Sequence, residues 1–264
     1  MPQPFDLAGQ VVLILGGSGG IGRALAEGLG KAGARLCLSG RDAAKLDGVV
    51  ARLRGAGMEA SGLLADANDP AGFDPLFERV AADAGRLDLL INCQGINIIK
   101  PAAEFTAEDY DAVLDTNLKS VFFACQAARR RFLAQDAESG GREGRRGGAI
   151  INIASLSAHR GWAGAVVYGV SKHGIAGLTQ GLAAEWAAEG IRVNAISPGF
   201  FMTDMNRERM SPARKELALA RTPLRRFGEV EELAGAAVYL ASDAAGFVTG
   251  ADIAVDGGFL ASGL

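Results

Sequence analysis

Gln10-Val11-Val12-Leu13-Ile14-Leu15-Gly16-Gly17-Ser18-Gly19-Gly20-Ile21-Gly22 runs from an unbroken apolar segment straight into a cluster of glycines. A short apolar run closed by glycine has the length of a buried strand, and the spacing from Gly20 to Ala32 predicts a helix after it. Backbone amides at a helix N-terminus bind phosphate, and glycine lets the backbone approach the ligand closely. Strand, glycine turn and helix in that order near the N-terminus point to dinucleotide binding, with Gly16, Ser18, Gly19, Gly20, Ile21 and Gly22 as the cradle. Three residues separate Gly16 from Gly20, so the turn is wider than the G-x-G-x-x-G fingerprint.

The same alternation continues along the chain. Strands are expected at Ala34–Ser39, Met58–Leu64, Leu87–Asn92, Ala149–Ala154, Ile191–Ile196 and Asp252–Val255. Between them, helices are expected over Asp42–Gly55, Pro70–Ala84, roughly Glu108–Ala134 and from about Val166, with a last one carrying Val230, Leu233, Ala234 and Val238. Parallel strands need long crossovers, so this order predicts an α/β fold: a doubly wound parallel sheet of about seven strands with helices on both faces. No composition break divides the chain, and residues 1–264 read as one domain. Asp136–Gly148 (DAESGGREGRRGG) is too polar to bury and reads as a flexible surface insertion. Phe200–Phe227, rich in Arg and Met, follows a strand end and is a candidate substrate lid.

Composition narrows the function classes. Of 264 residues 49% are hydrophobic, and 27 basic side chains face 30 acidic ones, which fits a globular protein and gives no reason to expect nucleic acid. Cys37, Cys93 and Cys125 are scattered, and the two histidines lie among no cluster of ligands, so neither disulfides nor a metal site is expected. There is no apolar run of membrane-spanning length and no signal-peptide pattern, so a cytoplasmic location with no membrane partner is expected. The 37 glycines mark turns and close backbone approaches.

A second constellation carries the chemistry. Tyr168 and Lys172 are four apart, on one face of the expected helix, and Ser155 ends the strand before it. A free tyrosine, with a pKa of about 10, is a poor acid–base group at neutral pH. A neighbouring ammonium lowers that pKa, and the Ser155 hydroxyl could hold the reacting oxygen while Tyr168 exchanges a proton with it. At the other end of the ligand, the second strand closes on Ser39-Gly40-Arg41 with no carboxylate before Asp42. A carboxylate there would accept from a free ribose 2′-hydroxyl; Arg41 instead suits a 2′-phosphate, unless it is a solvated loop residue. NADP(H) is therefore expected over NAD(H), with NAD(H) possible.

With these motifs the chain resembles the short-chain dehydrogenase/reductase family over essentially its whole length. The family's glycine motif falls on Gly16, Gly20 and Gly22, its strand-four motif on Asn92-Cys93-Gln94-Gly95, its helix asparagine on Asn117, and its Pro-Gly turn and threonine on Pro198, Gly199 and Thr203. The resemblance implies a tetrad of Asn117, Ser155, Tyr168 and Lys172: Tyr168 as acid and base, Lys172 lowering its pKa and holding the nicotinamide ribose, Ser155 orienting substrate, and Asn117 anchoring a water. It also implies cofactor contacts from Asp66 and Ala67 near the adenine, from Asn92 and Gly95 along the cofactor, and from Pro198, Gly199 and Thr203. His159, Trp162 and Phe200 become candidate substrate contacts beside Ser155 and Tyr168. Two departures stand out: Leu15 replaces a threonine before the glycines, and Cys93-Gln94 replaces Asn-Ala.

Within the family, FDLAGQ, PGFFMTDMN, RTPLRRFG and VDGGFL are most similar to sugar-acid dehydrogenases of the gluconate 5-dehydrogenase and 2-deoxygluconate 3-dehydrogenase type. This implies a secondary alcohol–ketone oxidoreductase acting on a sugar acid or polyol, with Arg207 or Arg209 meeting a carboxylate. A 3-oxoacyl-acyl-carrier-protein reductase is the nearest alternative; it needs a basic docking surface, for which Arg129-Arg130-Arg131 is the candidate, although Glu189 stands where many such reductases are basic. A non-catalytic cofactor-sensing protein is the alternative from another class, and it fits a filled tetrad poorly. The resemblance further implies a homotetramer, with a dimer as the alternative.

Overall fold

A computed structural model describes residues 4–138, 147–202 and 210–262. The first strand, β1 (Val11–Leu15), is buried from end to end. Successive side chains of a strand point to opposite faces, so Val11, Leu13 and Leu15 enter one core and Val12 and Ile14 the other. A strand covered on both sides has no polar face to show, which explains its unbroken apolar sequence.

The remaining strands are β2 (Arg35–Gly40), β3 (Ala60–Leu64), β4 (Leu89–Asn92), β5 (Ala149–Ile153), β6 (Arg192–Pro198) and β7 (Asp252–Val255). They form one seven-stranded sheet in the order β3-β2-β1-β4-β5-β6-β7, with every neighbouring pair parallel. The order reverses direction between β1 and β4, and a crevice at such a switch point is where open α/β sheets take their ligands. On one face, α3 (Phe73–Ala84), α5 (Ser120–Glu138) and α6 (Val166–Trp186) pack around Phe73, Phe77, Phe132 and Trp186. On the other, α1 (Gly20–Lys31), α2 (Ala43–Gly55) and α8 (Glu232–Ala241) bury Leu25, Leu29, Leu46 and Leu240.

Three departures from the sequence reading matter. The long helix expected from Glu108 is interrupted: α4 (Ala107–Leu114) leads into a π-helical turn at Asp115–Lys119 before α5 begins. Asp136, Ala137 and Glu138 continue α5 rather than opening the surface insertion, and Asp136 accepts a 2.7 Å hydrogen bond from the Gly147 amide. Residues 139–146 of that insertion lie outside the described residues. The candidate lid carries a helix of its own, α7 (Pro212–Arg221), capped by the Ser211 hydroxyl on the Arg214 amide and started by Pro212. None of the helices among the described residues is long and apolar enough to cross a membrane.

Candidate active site

The groove begins where β1 ends. Gly16 adopts φ +75°, and a Cβ there would stand 2.8 Å from the Gln94 amide nitrogen. A Cβ on Gly22 would come within 2.4 Å of the Gly16 carbonyl oxygen, so the turn closes this tightly only with hydrogen at both positions. No side chain caps α1, and its first turn carries no acidic residue. Its leading amides and positive dipole end are therefore available to an anion, as a dinucleotide's diphosphate requires.

Two cavities of about 380 and 400 Å³ meet at Gly16, Gly19 and Cys93–Ile96, making one continuous trough across the carboxyl ends of β1 and β4. The first is lined by Gly20, Ile21, Gly22, Ser155, Trp162, Tyr168, Lys172, Pro198, Gly199 and Phe200, the second by Ser18, Arg41, Asp66 and Ala67. Most of the residues expected at the cofactor and substrate thus meet in one place. Thr203, Arg207 and Arg209 lie outside the described residues. Lys45, Thr116, Met210 and Arg214 also line the trough and were not anticipated; the Ser211-Pro212 helix start was the available sign for Arg214.

Asp42 Oδ1 accepts the Lys45 amide at 3.0 Å and caps α2. Asp66 Oδ1 accepts the Asn68 amide at 2.9 Å and shapes the loop after β3.

Two expected contacts are corrected. Asn92 does not lie along the trough: its Nδ2 donates to Asn152 Oδ1 at 2.9 Å, and Asn152 Nδ2 donates to Thr179 Oγ1 at 3.0 Å, forming a buried ladder under the sheet. Alternation along β4 puts Asn92 on the Leu90 face, towards Cys125 of α5. His159 also turns away from the trough, with Nε2 3.0 Å from Asp252 Oδ2 and 3.3 Å from Ser197 Oγ. Trp162 and Phe200 do face the cleft, packed edge-to-face at 5.9 Å, and Phe259 completes the aromatic group.

At the reacting end, Ser155 sits just past β5, and its Oγ accepts the Ser157 amide at 3.1 Å. Lys172 is buried, and its Nζ donates to the Ile153 carbonyl at 2.7 Å while lying 5.7 Å from the Tyr168 ring centre. The expected drop in the Tyr168 pKa is not found. Burial of the phenol pushes it up, and a hydrogen bond from Ser155 works against that shift. The ammonium lies over the ring and spends a hydrogen on Ile153, and burial pulls its own pKa down to about 8. Asn117 occupies the π turn, wholly buried: Oδ1 accepts the Ile96 amide at 2.8 Å, and Nδ2 donates to the Ile96 carbonyl at 2.9 Å and to Ser171 Oγ at 3.1 Å. π turns inside α-helices recur at functional sites.

The arginine triplet of α5 is not a shared basic patch. Arg129 pairs with Glu189, Arg130 with Asp74, and the largely buried Arg131 with both Glu78 and Glu138.

A dinucleotide trough that ends on a tyrosine, a lysine and a serine defines an oxidoreductase built on a Rossmann-type sheet. Residues 16–260 match the family model described as enoyl-(acyl carrier protein) reductase. The chain is 37% identical over 265 residues to gluconate 5-dehydrogenase of Gluconobacter oxydans, covering 99% of this chain and 98% of that one. It is also 37% identical to D-threitol dehydrogenase of Mycolicibacterium smegmatis, covering 97% and 94%. The crystal structure of a gluconate 5-dehydrogenase from Burkholderia cenocepacia in complex with NADP and tartrate superposes with a TM-score of 0.90 at 34% identity, covering 98% of each chain. The protein belongs to the short-chain dehydrogenase/reductase family.

Proposed function

We propose that the protein interconverts a secondary alcohol and a ketone on a sugar acid or polyol, with NADP(H) preferred over NAD(H). The observation that carries this reading is the meeting of Tyr168, Lys172 and Ser155 at one end of a trough whose other end holds Arg41. The relatives named for gluconate and threitol support the substrate class, and Arg214 supplies a cation at the cleft wall that suits a carboxylate.

The residues divide the work as follows. A bound nicotinamide supplies or accepts the hydride. Trp162 and Phe200 give the substrate's carbon skeleton an apolar wall, and the Ser155 hydroxyl fixes the reacting oxygen by a hydrogen bond. Tyr168 passes its phenolic proton to that oxygen in reduction and takes it back in oxidation. Burial that holds the phenol protonated favours the donor role. Lys172, buried beside the phenol, would hold the nicotinamide ribose, and Asn117 ties α4 and α5 to the Ile96 backbone, keeping the trough floor in place. We further propose a single-domain cytoplasmic enzyme that assembles as a homotetramer or a dimer, with residues 200–227 closing over the substrate.

A carrier-protein reductase is the second reading, and the arginine triplet weighs against it. Each of its guanidiniums is neutralised by a carboxylate of its own subunit, leaving little positive field for an acidic carrier. The test is a panel of sugar acids, polyols and 3-oxoacyl thioesters with both cofactors, followed at the nicotinamide absorbance, alongside Tyr168→Phe. Turnover of a sugar acid or polyol, lost about 10²–10⁴-fold in Tyr168→Phe, is the expected result. Faster reduction of the thioesters, or near-normal turnover by Tyr168→Phe, overturns the reading.

A further inference from the structure

Beside Ser155, the cleft wall carries a buried hydroxyl that the fold does not use. Ser157 is 6% exposed and sits in the turn Leu156–Ala158. It lines the cavity of Ser155, Trp162 and Tyr168, not the one that holds Arg41. The turn closes without its side chain. The Ser155 hydroxyl accepts the Ser157 amide at 3.1 Å, the Ser155 carbonyl accepts the Ala158 amide at 2.9 Å, and the Leu156 carbonyl accepts the His159 and Arg160 amides at 3.0 Å. Ser157 Oγ has no hydrogen-bond partner among the described residues, and it is not sealed off, so its small accessible area opens on the cleft.

Buried polar side chains are paired in the large majority of cases, so an unpaired one calls for a reason. Alanine at this position would keep every bond of the turn, which leaves the cleft as the place where the hydroxyl acts. Other polar side chains of the same wall are committed or of a different kind. Gln94 Nε2 donates to Ser120 Oγ while its Oε1 is sealed away, and Lys172 donates to the Ile153 carbonyl. Asn97 is exposed, and Arg214 brings a full charge. A serine hydroxyl both donates and accepts, which matches another alcohol better than it matches an acceptor-only carboxylate. Its placement also fits. The Ser157 amide touches Ser155 Oγ, and a serine hydroxyl is three covalent bonds from its own amide nitrogen. The two hydroxyls can therefore meet oxygens on adjacent carbons of one substrate.

We infer that Ser157 is a specificity-determining residue: it binds the hydroxyl on the carbon next to the reacting one, which narrows the substrate class to vicinal diols and the α-hydroxy ketones they form. This rests on the proposed sugar-acid or polyol reaction and on Ser155 holding the reacting oxygen. A substrate with that neighbouring hydroxyl supplies Ser157 with a partner. An analogue without it displaces water from the cleft and leaves the hydroxyl unpaired, which is how a site rejects a substrate that lacks one polar group.

The test compares wild type and Ser157→Ala on a sugar acid or polyol that the enzyme turns over and on its deoxy analogue lacking the hydroxyl beside the reacting carbon. kcat/KM is measured for both compounds, with the inhibition constant in its place for an analogue that is not turned over, together with the NADPH Kd and Tm. Wild type is expected to prefer the hydroxylated compound by about ten- to a hundredfold. Ser157→Ala is expected to lose about tenfold on that compound and to stay within about twofold on the analogue, so that most of the preference disappears. The NADPH Kd should stay within about twofold and Tm should not fall, because no internal bond is lost. A wild type indifferent to the hydroxyl, or equal losses on both compounds, overturns the inference. Equal losses with weaker NADPH binding assign the hydroxyl to the cofactor, and equal losses with a lower Tm assign it to the fold. The two levels separate cleanly. If no sugar acid or polyol is turned over, the proposed function fails and takes this inference with it; if they are turned over and Ser157→Ala keeps the wild-type preference, only the role of Ser157 fails.

Discussion

Arg41→Ala should raise the dissociation constant for NADPH about five- to tenfold and leave that for NADH within about twofold. Arg41 is exposed and lines the same half of the trough as Ser18, Lys45 and Asp66. The Asp42 carboxylate next to it caps α2 on the Lys45 amide and lies 3.7 Å from the Lys45 ammonium, which offsets its charge locally. A phosphate monoester carries a charge of about −1.5 to −2 at neutral pH. A unit charge about 4 Å from it through water contributes about 1 kcal/mol per charge, so the pair is worth about 1.5–2 kcal/mol before screening. At physiological ionic strength the Debye length is about 8 Å, which trims an exposed pair to about 1 kcal/mol, a factor of about five to ten. Fluorescence titration of both dinucleotides at about 0.02 and 0.5 M salt reads the effect directly. The wild-type preference should shrink with salt, and the Arg41→Ala preference should be small and nearly flat. Equal weakening of NADH and NADPH, or a wild type that binds NADH better, would refute the argument and leave Arg41 a solvated loop residue. Gly40→Asp provides the converse: its Cβ would meet only the Ser18 hydroxyl, at 2.8 Å, a side-chain end that can rotate aside, so a carboxylate can be seated there and should turn the preference towards NADH.

Three further outcomes follow from the geometry. Between about pH 8, the folded pKa of Lys172, and its ordinary 10.5, the unfolded chain holds more protons than the folded one; stability should therefore rise with pH across that window, and Lys172→Met should flatten the rise in urea melts taken from pH 7 to 10.5. Gly22→Ala, whose Cβ would stand 2.4 Å from the Gly16 carbonyl oxygen, should weaken both dinucleotides by tenfold or more in the same titration, whereas Gly48→Ala, with open space around it, should not. Arg214→Ala should raise KM for a sugar acid about tenfold and leave KM for a neutral polyol unchanged, as expected for loss of one charged contact; equal effects on both substrates would remove Arg214 from the recognition of charge.

The parts of the molecule legible in the sequence are those where local pattern and burial agree. An apolar run covered on both faces, a glycine turn and a periodic helix leave few alternatives, and the Tyr168–Lys172 spacing survives in any helix. α7 escaped notice because it buries only Ala218 and so has no apolar stripe to betray it, although Ser211 and Pro212 mark its start. The inward turn of Asn92 was readable from its shared face with Leu90, but a polar side chain at a strand end draws the eye to the ligand. The pairing of Arg129 with Glu189 beyond α6, and of Arg130 and Arg131 with Asp74 and Glu78 of α3, depends on tertiary partners that no window of sequence contains. The sign of the Tyr168 shift was missed for a related reason: spacing reveals a neighbouring charge and says nothing of how deeply the phenol is sunk.

The π turn at Asp115–Lys119 has a consequence for how this helix can vary in length. Each residue added to or removed from a helix rotates everything downstream by about 100°. The wide turn takes up one residue beyond the regular winding, so upstream and downstream segments are out of phase with each other by that angle. Deleting one residue would restore an ordinary helix and better-spaced backbone bonds, yet it would swing either Asn117 away from Ile96 or Ala124, Ala128 and Phe132 away from the sheet. Chemistry and packing are thus set on two different helical phases, and the single surplus residue is the coupling between them. Length changes on this helix should be tolerated only beyond Phe132, where the chain runs out towards Glu138.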